Sequence, residues 1–68
     1  MLGMEDVGHR VVVRRVVGVR DQRPVFTDIL GELREYTDDD LAVETRRGLV
    51  RVPLKAIVAA KRIPPRRS

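Results

Sequence analysis

The stretch that decides the fold of this chain is Arg10-Val11-Val12-Val13-Arg14-Arg15-Val16-Val17. Valine is β-branched and fits a pleated surface, while the interspersed arginines keep one side of that surface in water, so the stretch predicts a β-strand. The same pattern recurs at residues 41–46 and 49–52. The sequence therefore predicts a small sheet that no helix is large enough to cover, which is typical of a little barrel rather than of an enzyme core.

Length and composition narrow the class of protein. A chain of 68 residues forms one domain, and such a chain buries only roughly 60% of its unfolded surface. With no cysteine and one histidine, it has no disulfide framework and no thiolate metal site. No segment approaches the roughly 20 apolar residues that cross a bilayer, and an early acidic pair, Glu5 and Asp6, is unlike a signal peptide. We expect a soluble, cytoplasmic protein.

The charge balance favours an anionic partner only weakly. The net charge of +4 comes from 14 basic and 10 acidic residues, and solubility explains such an excess equally well. Phe26 and Tyr36 are the only aromatic residues. The stacking platform that single-stranded nucleic-acid binders and proline-peptide grooves use is therefore missing.

Glycine, proline and charge divide the chain into segments. Residues 1–8 lack periodicity and are predicted to be a flexible N-terminal segment. Residues 9–63 form the predicted barrel, and residues 64–68 form a Pro/Arg tail or the start of a linker. Within the barrel, residues 18–24 begin with Gly18 and end with Pro24, which predicts the main loop, of a length that carries binding in small barrels.

The second strand is predicted at residues 27–36. Ile29, Gly31 and Leu33 fall on one face, and Gly31 indicates a bend or a close approach of backbones. A helix over residues 29–36 is the alternative, because its leucines can be spaced helically and glutamate, leucine and arginine are good helix formers. The glycine in mid-segment and the abrupt acidic end that follows favour the strand.

The remainder of the chain predicts three more strands. A tight turn at Arg47–Gly48 joins two of them, because glycine accepts a positive φ at little cost. In that hairpin we expect Glu44 to face Arg51 on the outer side. The predicted segments are an acidic hairpin loop at 37–40, strands at 41–46 and 49–53, a helical turn at 53–56 and a last strand at 57–63.

Five short strands with a helical turn before the last one give the order of a small all-β, SH3-like barrel. Four segments also match a known family: 8–14 (GHRVVVR), 27–33 (TDILGEL), 43–45 with 48–50 (VET, GLV) and 57–65 (IVAAKRIPP). In these segments the chain resembles the N-terminal SH3-like domain of actinobacterial GNAT-family N-acetyltransferases. The resemblance spans residues 8–65.

The resemblance implies an accessory module, because in that family the barrel precedes a catalytic domain that binds acetyl-coenzyme A. The cofactor is then expected only where such a catalytic domain is attached. No glycine cluster in this chain opens a helix that could hold a pyrophosphate. We therefore predict no catalytic, cofactor-binding or metal-binding residue.

The residues that could carry chemistry have simpler explanations. His9 could be a general base beside an aspartate, but a lone histidine at a strand start is more often half-exposed without a role. Thr27 and Asp28 could pair a hydroxyl with an acid, but no second base is present to activate the hydroxyl, and turn capping is their ordinary use. Arg14 and Arg15 are expected on opposite faces of their strand, unless one of them lies at a bulge.

Three functional hypotheses follow. The resemblance favours an accessory domain that contacts an acetyltransferase catalytic domain or another protein. The basic balance favours a stand-alone barrel that binds nucleic-acid phosphates, with candidate contacts at Arg14, Arg20, Arg23, Arg51 and Arg62. The third hypothesis is a protein-interaction module that adds a peptide strand at an open barrel edge. The sequence leaves the oligomeric state open.

Overall fold

Alternating runs rich in β-branched residues form most of the secondary structure. The computed structural model describes residues 2–65. Five strands are joined by short turns, and a three-residue 3-10 turn lies near the start and another before the last strand. The elements are the first 3-10 turn (Met4–Asp6), β1 (Arg10–Arg20), β2 (Arg23–Tyr36), β3 (Asp40–Thr45), β4 (Gly48–Pro53), the second 3-10 turn (Leu54–Ala56) and β5 (Ile57–Arg62).

The strands form one sheet in the order β4-β3-β2-β1-β5, with every neighbouring pair antiparallel. β1 pairs with both β2 and β5, so the last strand returns beside the first. This order, with a helical turn before the last strand, confirms the predicted small all-β, SH3-like barrel. Residues 29–36 lie within β2, so the strand is confirmed over the alternative helix.

The core lies on the inward face of the curved sheet. Val11 and Val13, alternate residues of β1, are fully buried and pair with Gly31 and Ile29 of β2. The inward positions predicted for β2 are thereby confirmed. The core cluster is completed by Leu2, Leu33, Leu41, Val43, Val52 and Ile57.

Gly31 is required by a close approach between β2 and β3. A Cβ atom at this position would overlap the carbonyl oxygen of Glu44, so a larger residue would push the two backbones apart. The close approach predicted for this glycine is confirmed. It lies beside the first residue pair of the β2–β3 ladder, Glu32 with Glu44.

Residues 2–8, predicted to be flexible, instead pack onto the barrel. Leu2 is 6% exposed and belongs to the core. The carboxylate of Asp6, which is also buried, accepts hydrogen bonds from the Gly3 backbone N–H at 2.9 Å and from the Arg62 guanidinium at 2.7 Å. These two donors lower the pKa of Asp6. The segment before β1 is thus anchored to β5; Met1 lies outside the described residues.

The prediction of a long loop at residues 18–24 is wrong. β1 and β2 continue through both ends of that segment, and only Asp21 and Gln22 form the turn, with φ of 51° and 65°. Two consecutive left-handed residues are characteristic of a type I′ turn, whose twist matches that of the flanking strands. Val17 is accommodated as a bulge in β1.

The turn between β3 and β4 is shifted by one residue from its predicted position. Thr45 pairs with Gly48, so the connecting residues are Arg46 and Arg47. Gly48 has the predicted positive φ, at 120°.

The predicted pairing of Glu44 with Arg51 is also wrong. Glu44 lies opposite Leu49 in the β3–β4 ladder. Arg51 instead donates to Glu35 at 2.5 Å and to Asp40 at 3.2 Å. These carboxylates raise the pKa of Arg51.

Candidate functional site

β1 and β2 extend beyond the strands on either side of them. β5 pairs with β1 only over residues 11–15, and β3 pairs with β2 only over residues 32–36. Residues 16–26 therefore form a two-stranded arm. At about 3.3 Å per residue, its five residues from β1 span about 16 Å.

The outer side of the β1–β2 hairpin carries three apolar cross-strand pairs. These side chains point away from the core, because successive side chains of a strand point to opposite faces. Phe26 and Leu30, two of the largest, are 44% and 47% exposed. We call the set the outer apolar face: Val12 opposite Leu30, Val16 opposite Phe26, and Val19 opposite Pro24.

An ion pair lies in the middle of the outer apolar face. Arg14 and Asp28 are cross-strand partners and are joined by two hydrogen bonds, Nε to Oδ1 at 2.9 Å and Nη2 to Oδ2 at 3.2 Å. The hydrogen bond lowers the pKa of Asp28 and raises that of Arg14. Thr27 and Asp28 thus lie within a strand rather than capping a turn, and Arg15, opposite Thr27, is on the other face as predicted.

Among the described residues, one edge of β2 has no partner strand over residues 26–30. The Leu33 N–H donates to the His9 carbonyl, and the Leu33 carbonyl accepts from Gly8, so the odd-numbered residues of β2 direct their backbone groups toward β1. In an antiparallel ladder the alternate residues direct theirs to the opposite edge. Within residues 2–65, β3 begins to pair with that edge only at Glu32. We call the backbone groups of Phe26, Asp28 and Leu30 the free edge of β2.

An open groove of about 730 Å³ runs beside the free edge, between β2 and the β3–β4 turn. Its three acidic side chains have partners: Asp28 pairs with Arg14, and Arg34 reaches Glu32 at 3.1 Å and Glu44 at 4.0 Å. Four arginines also line it: Arg10, Arg15, Arg46 and Arg47.

The groove is therefore basic. In the part of the chain that the structure describes, none of those four arginines forms an ion pair. Nε of Arg15 is buried and lacks an acceptor among the same residues. Because the groove acids are already engaged, the unmatched charge that remains beside the free edge is positive. We call this feature the basic groove.

The five arginines proposed from the sequence do not form one patch. Arg14, Arg51 and Arg62 are each held by carboxylates, on separate parts of the barrel. Arg20 and Arg23 alone are brought together, as the residue pair that flanks the turn at the tip of the arm. Sequence reasoning did not select the groove arginines, although the adjacent Arg46 and Arg47 were visible beside a glycine turn.

Among residues 2–65, no three or more His, Cys, Asp or Glu side chains are grouped so that they could hold a metal ion. His9 is exposed and uses its backbone carbonyl, which accepts from Leu33. Within the same residues, neither length nor apolar character would let any helix span a membrane.

Comparisons with protein-family models, curated proteins and solved structures find no match. The resemblance to the N-terminal domains of GNAT-family acetyltransferases therefore stays a prediction from the matching segments. Three surfaces of the barrel are suited to binding: the outer apolar face, the free edge of β2 and the basic groove.

Proposed function

We propose that this chain is a non-catalytic SH3-like accessory domain whose outer apolar face packs against a neighbouring protein domain. The companion implied by the resemblance is the catalytic domain of a GNAT-family acetyltransferase. That domain would bind acetyl-coenzyme A and carry out the chemistry, and the barrel would supply contacts. The observation that carries the proposal is the outer apolar face.

The energetics of burial support this use of the face. Full burial of a leucine or phenylalanine side chain contributes about 1.5–3 kcal/mol. Phe26 and Leu30 are still 44% and 47% exposed, so docking would gain roughly 1 kcal/mol from each. Several exposed apolar side chains grouped on one face are typical of interaction sites.

The ion pair in the middle of the face is compatible with docking. Arg14 and Asp28 neutralise each other and already satisfy one another through two hydrogen bonds. A charged pair joined in this way is less costly to cover than an isolated charge. A partner could therefore cover the whole face without supplying a counter-charge at its centre.

The first test is the intact mass of the native gene product. We expect a mass well above that of this chain, with a GNAT-like domain after Pro65, and no acetyl-coenzyme A turnover by the barrel alone. Turnover by this chain, or a native product of this length with no acetyltransferase bound to it, would contradict the proposal.

A matched pair of variants then tests the face in the native protein. Leu30→Ser should separate the unfolding of the barrel from that of its companion domain, because it removes apolar contact at their interface. Leu49→Ser is the control, since Leu49 is similarly exposed, at 54%, but lies on β4. Equal behaviour of the two variants in calorimetry would argue against docking through the outer apolar face.

A second candidate function is nucleic-acid binding, which the pairing of Arg20 with Arg23 at the tip of the arm favours. Phosphate contacts would make affinity fall steeply with salt. Arg20→Ser with Arg23→Ser should then weaken binding to a mixed-sequence duplex and reduce its salt dependence, as measured by fluorescence anisotropy. Absence of binding at low ionic strength would eliminate this candidate.

A further inference from the structure

We infer that the free edge of β2 and the basic groove form a docking site for an acidic, extended peptide segment of a protein partner, which adds to the sheet as a strand. This inference rests on the proposed function, because it names the chemistry of the partner segment that the barrel receives. The free edge is formed by backbone groups of Phe26, Asp28 and Leu30, whereas the outer apolar face is formed by side chains of the same strand and of β1. Changes to the side chains of the face and to the groove arginines therefore test the two features separately.

The backbone of β2 supplies the first part of the recognition. Phe26, Asp28 and Leu30 direct N–H and C=O groups away from β1, and within residues 2–65 no strand accepts them. An unpaired strand edge is a template for another extended chain, and proteins normally shorten, bulge or cover such edges. Here the bulge at Val17 is in β1, so the β2 edge stays regular over these three residues. A peptide strand would satisfy the groups in an alternating ladder.

The basic groove supplies the second part. Arg15, Arg46 and Arg47 line the space beside the edge and have no ion-pair partner within residues 2–65. Arg15 is also the residue whose buried Nε lacks an acceptor. Carboxylates on the incoming strand would pair with these guanidinium groups, which present several donors to an acid. Because alternate residues of a strand share a face, acids at every second position meet this requirement.

The same observations disfavour two other occupants. A phosphodiester chain could neutralise the arginines, but it has no alternating amides and carbonyls to pair with Phe26, Asp28 and Leu30. A second copy of this chain could pair its own β2 edge, but it would bring a second set of unmatched groove arginines against Arg46 and Arg47. An acidic peptide strand complements both the backbone and the charge.

The probe is a capped nonapeptide of alternating threonine and glutamate, with affinity measured by isothermal titration calorimetry. Two peptides serve as controls. In one, lysine replaces glutamate, so the charge is reversed. In the other, the central backbone nitrogens are methylated, so the charge is kept while the ladder donors are lost. We expect the parent peptide to bind and both controls to bind at least about tenfold more weakly.

A pair of charge-matched protein variants tests the groove itself. The double variant Arg46→Glu with Arg47→Glu places acids beside the free edge and should weaken binding of the peptide by about tenfold or more. The double variant Arg20→Glu with Arg23→Glu changes the net charge equally, but at the tip of the arm. It should change the affinity by no more than about threefold at physiological salt. Circular dichroism of both variants establishes that they fold.

Each remaining outcome would overturn the inference. Equal binding of the methylated and parent peptides would mean attraction by charge without a strand. Equal losses of peptide affinity in the two charge variants would mean that binding responds only to the net charge of the protein. If the peptide does not bind, but an oligonucleotide binds and loses affinity in the Arg46→Glu, Arg47→Glu variant, the groove is a phosphate site. The peptide could fail to bind while Leu30→Ser and Leu49→Ser still differ in the unfolding of the native protein. This result would overturn the inference and leave the proposed function standing.

Discussion

Leu33→Ala is the most direct perturbation of the fold, because Leu33 is fully buried and belongs to the core cluster. Replacing a buried leucine by alanine costs about 2–5 kcal/mol, from lost apolar burial and the cavity left behind. A domain of this size has a total stability of roughly 3–10 kcal/mol. We therefore expect Leu33→Ala to lose a large part of the free energy of unfolding, and to be largely unfolded if the parent is at the lower end of that range.

The control is Leu30→Ala, which removes the same atoms from the same strand but from the outer apolar face, where Leu30 is 47% exposed. A substitution at such a position costs well under about 1 kcal/mol. With about 4–8 °C of Tm per kcal/mol in a small domain, a loss of 3 kcal/mol lowers Tm by roughly 12–24 °C, and the control should shift it by about 4 °C or less. Thermal unfolding followed by circular dichroism measures both. Similar Tm values for the two variants would refute the assignment of the two faces of β2.

Three further predictions concern particular positions. Gly31→Ala should lower the free energy of unfolding in urea by about 1–3 kcal/mol, because its Cβ would overlap the Glu44 carbonyl. The control is Gly18→Ala, which has open space around it and should not destabilise the domain by more than about 1 kcal/mol. Equal losses of stability in the two variants would contradict the close approach. Gln22→Gly should raise Tm by a few degrees, because glycine removes the strain of a φ of 65°, and a lowered Tm would argue against the type I′ turn. Asp6 has a lowered pKa in the folded state. Its contribution to the free energy of unfolding is therefore fully present above the pKa of the unfolded state, near 3.8. This contribution is lost as the pH falls through the pKa of the folded state. Asp6→Asn should therefore destabilise the domain at pH 7 and reduce the loss of stability on acidification below about pH 4, and unchanged urea unfolding at pH 7 would contradict the anchoring of the N-terminal segment.

The sequence predicted the inward face of β2 because strand periodicity is a local property. Ile29, Gly31 and Leu33 occupy alternate positions, and only a strand places all three on one face. The close approach at Gly31 could also be inferred, since glycine within a strand costs stability unless another backbone lies near. The number of strands and the helical turn before the last strand followed from the spacing of the segments.

The long-loop prediction at residues 18–24 is wrong because Gly18 and Pro24, residue types that usually interrupt a strand, are tolerated in their local positions. Gly18 follows the bulge at Val17, and Pro24 lies opposite Val19. The Arg20–Arg23 pair flanks the turn, and the Val19–Pro24 pair is the next one along the ladder. At the Val19–Pro24 pair the ladder requires no N–H from proline. The turn residues contain no glycine, so the usual composition of a type I′ turn was absent.

The N-terminal segment and the free edge depend on tertiary structure. The burial site of Leu2 exists only after the barrel has formed, and the Asp6–Arg62 pair joins residues far apart in the chain. The free edge arises because β2 is longer than its partner β3, which periodicity within one segment cannot indicate. The sequence indicated that an open edge could receive a strand, but not which edge or with what charge.

Amide hydrogen exchange of the barrel, before and after addition of the threonine–glutamate peptide, tests the free edge most directly. Without the peptide, the amides of Phe26, Asp28 and Leu30 should exchange rapidly, while those of Ile29 and Gly31, which face β1, should be slow. With the peptide, the first three should become protected and the other two should stay so. Protection of Phe26, Asp28 and Leu30 in the barrel alone, or no change on saturation with peptide, would contradict a docking edge on β2.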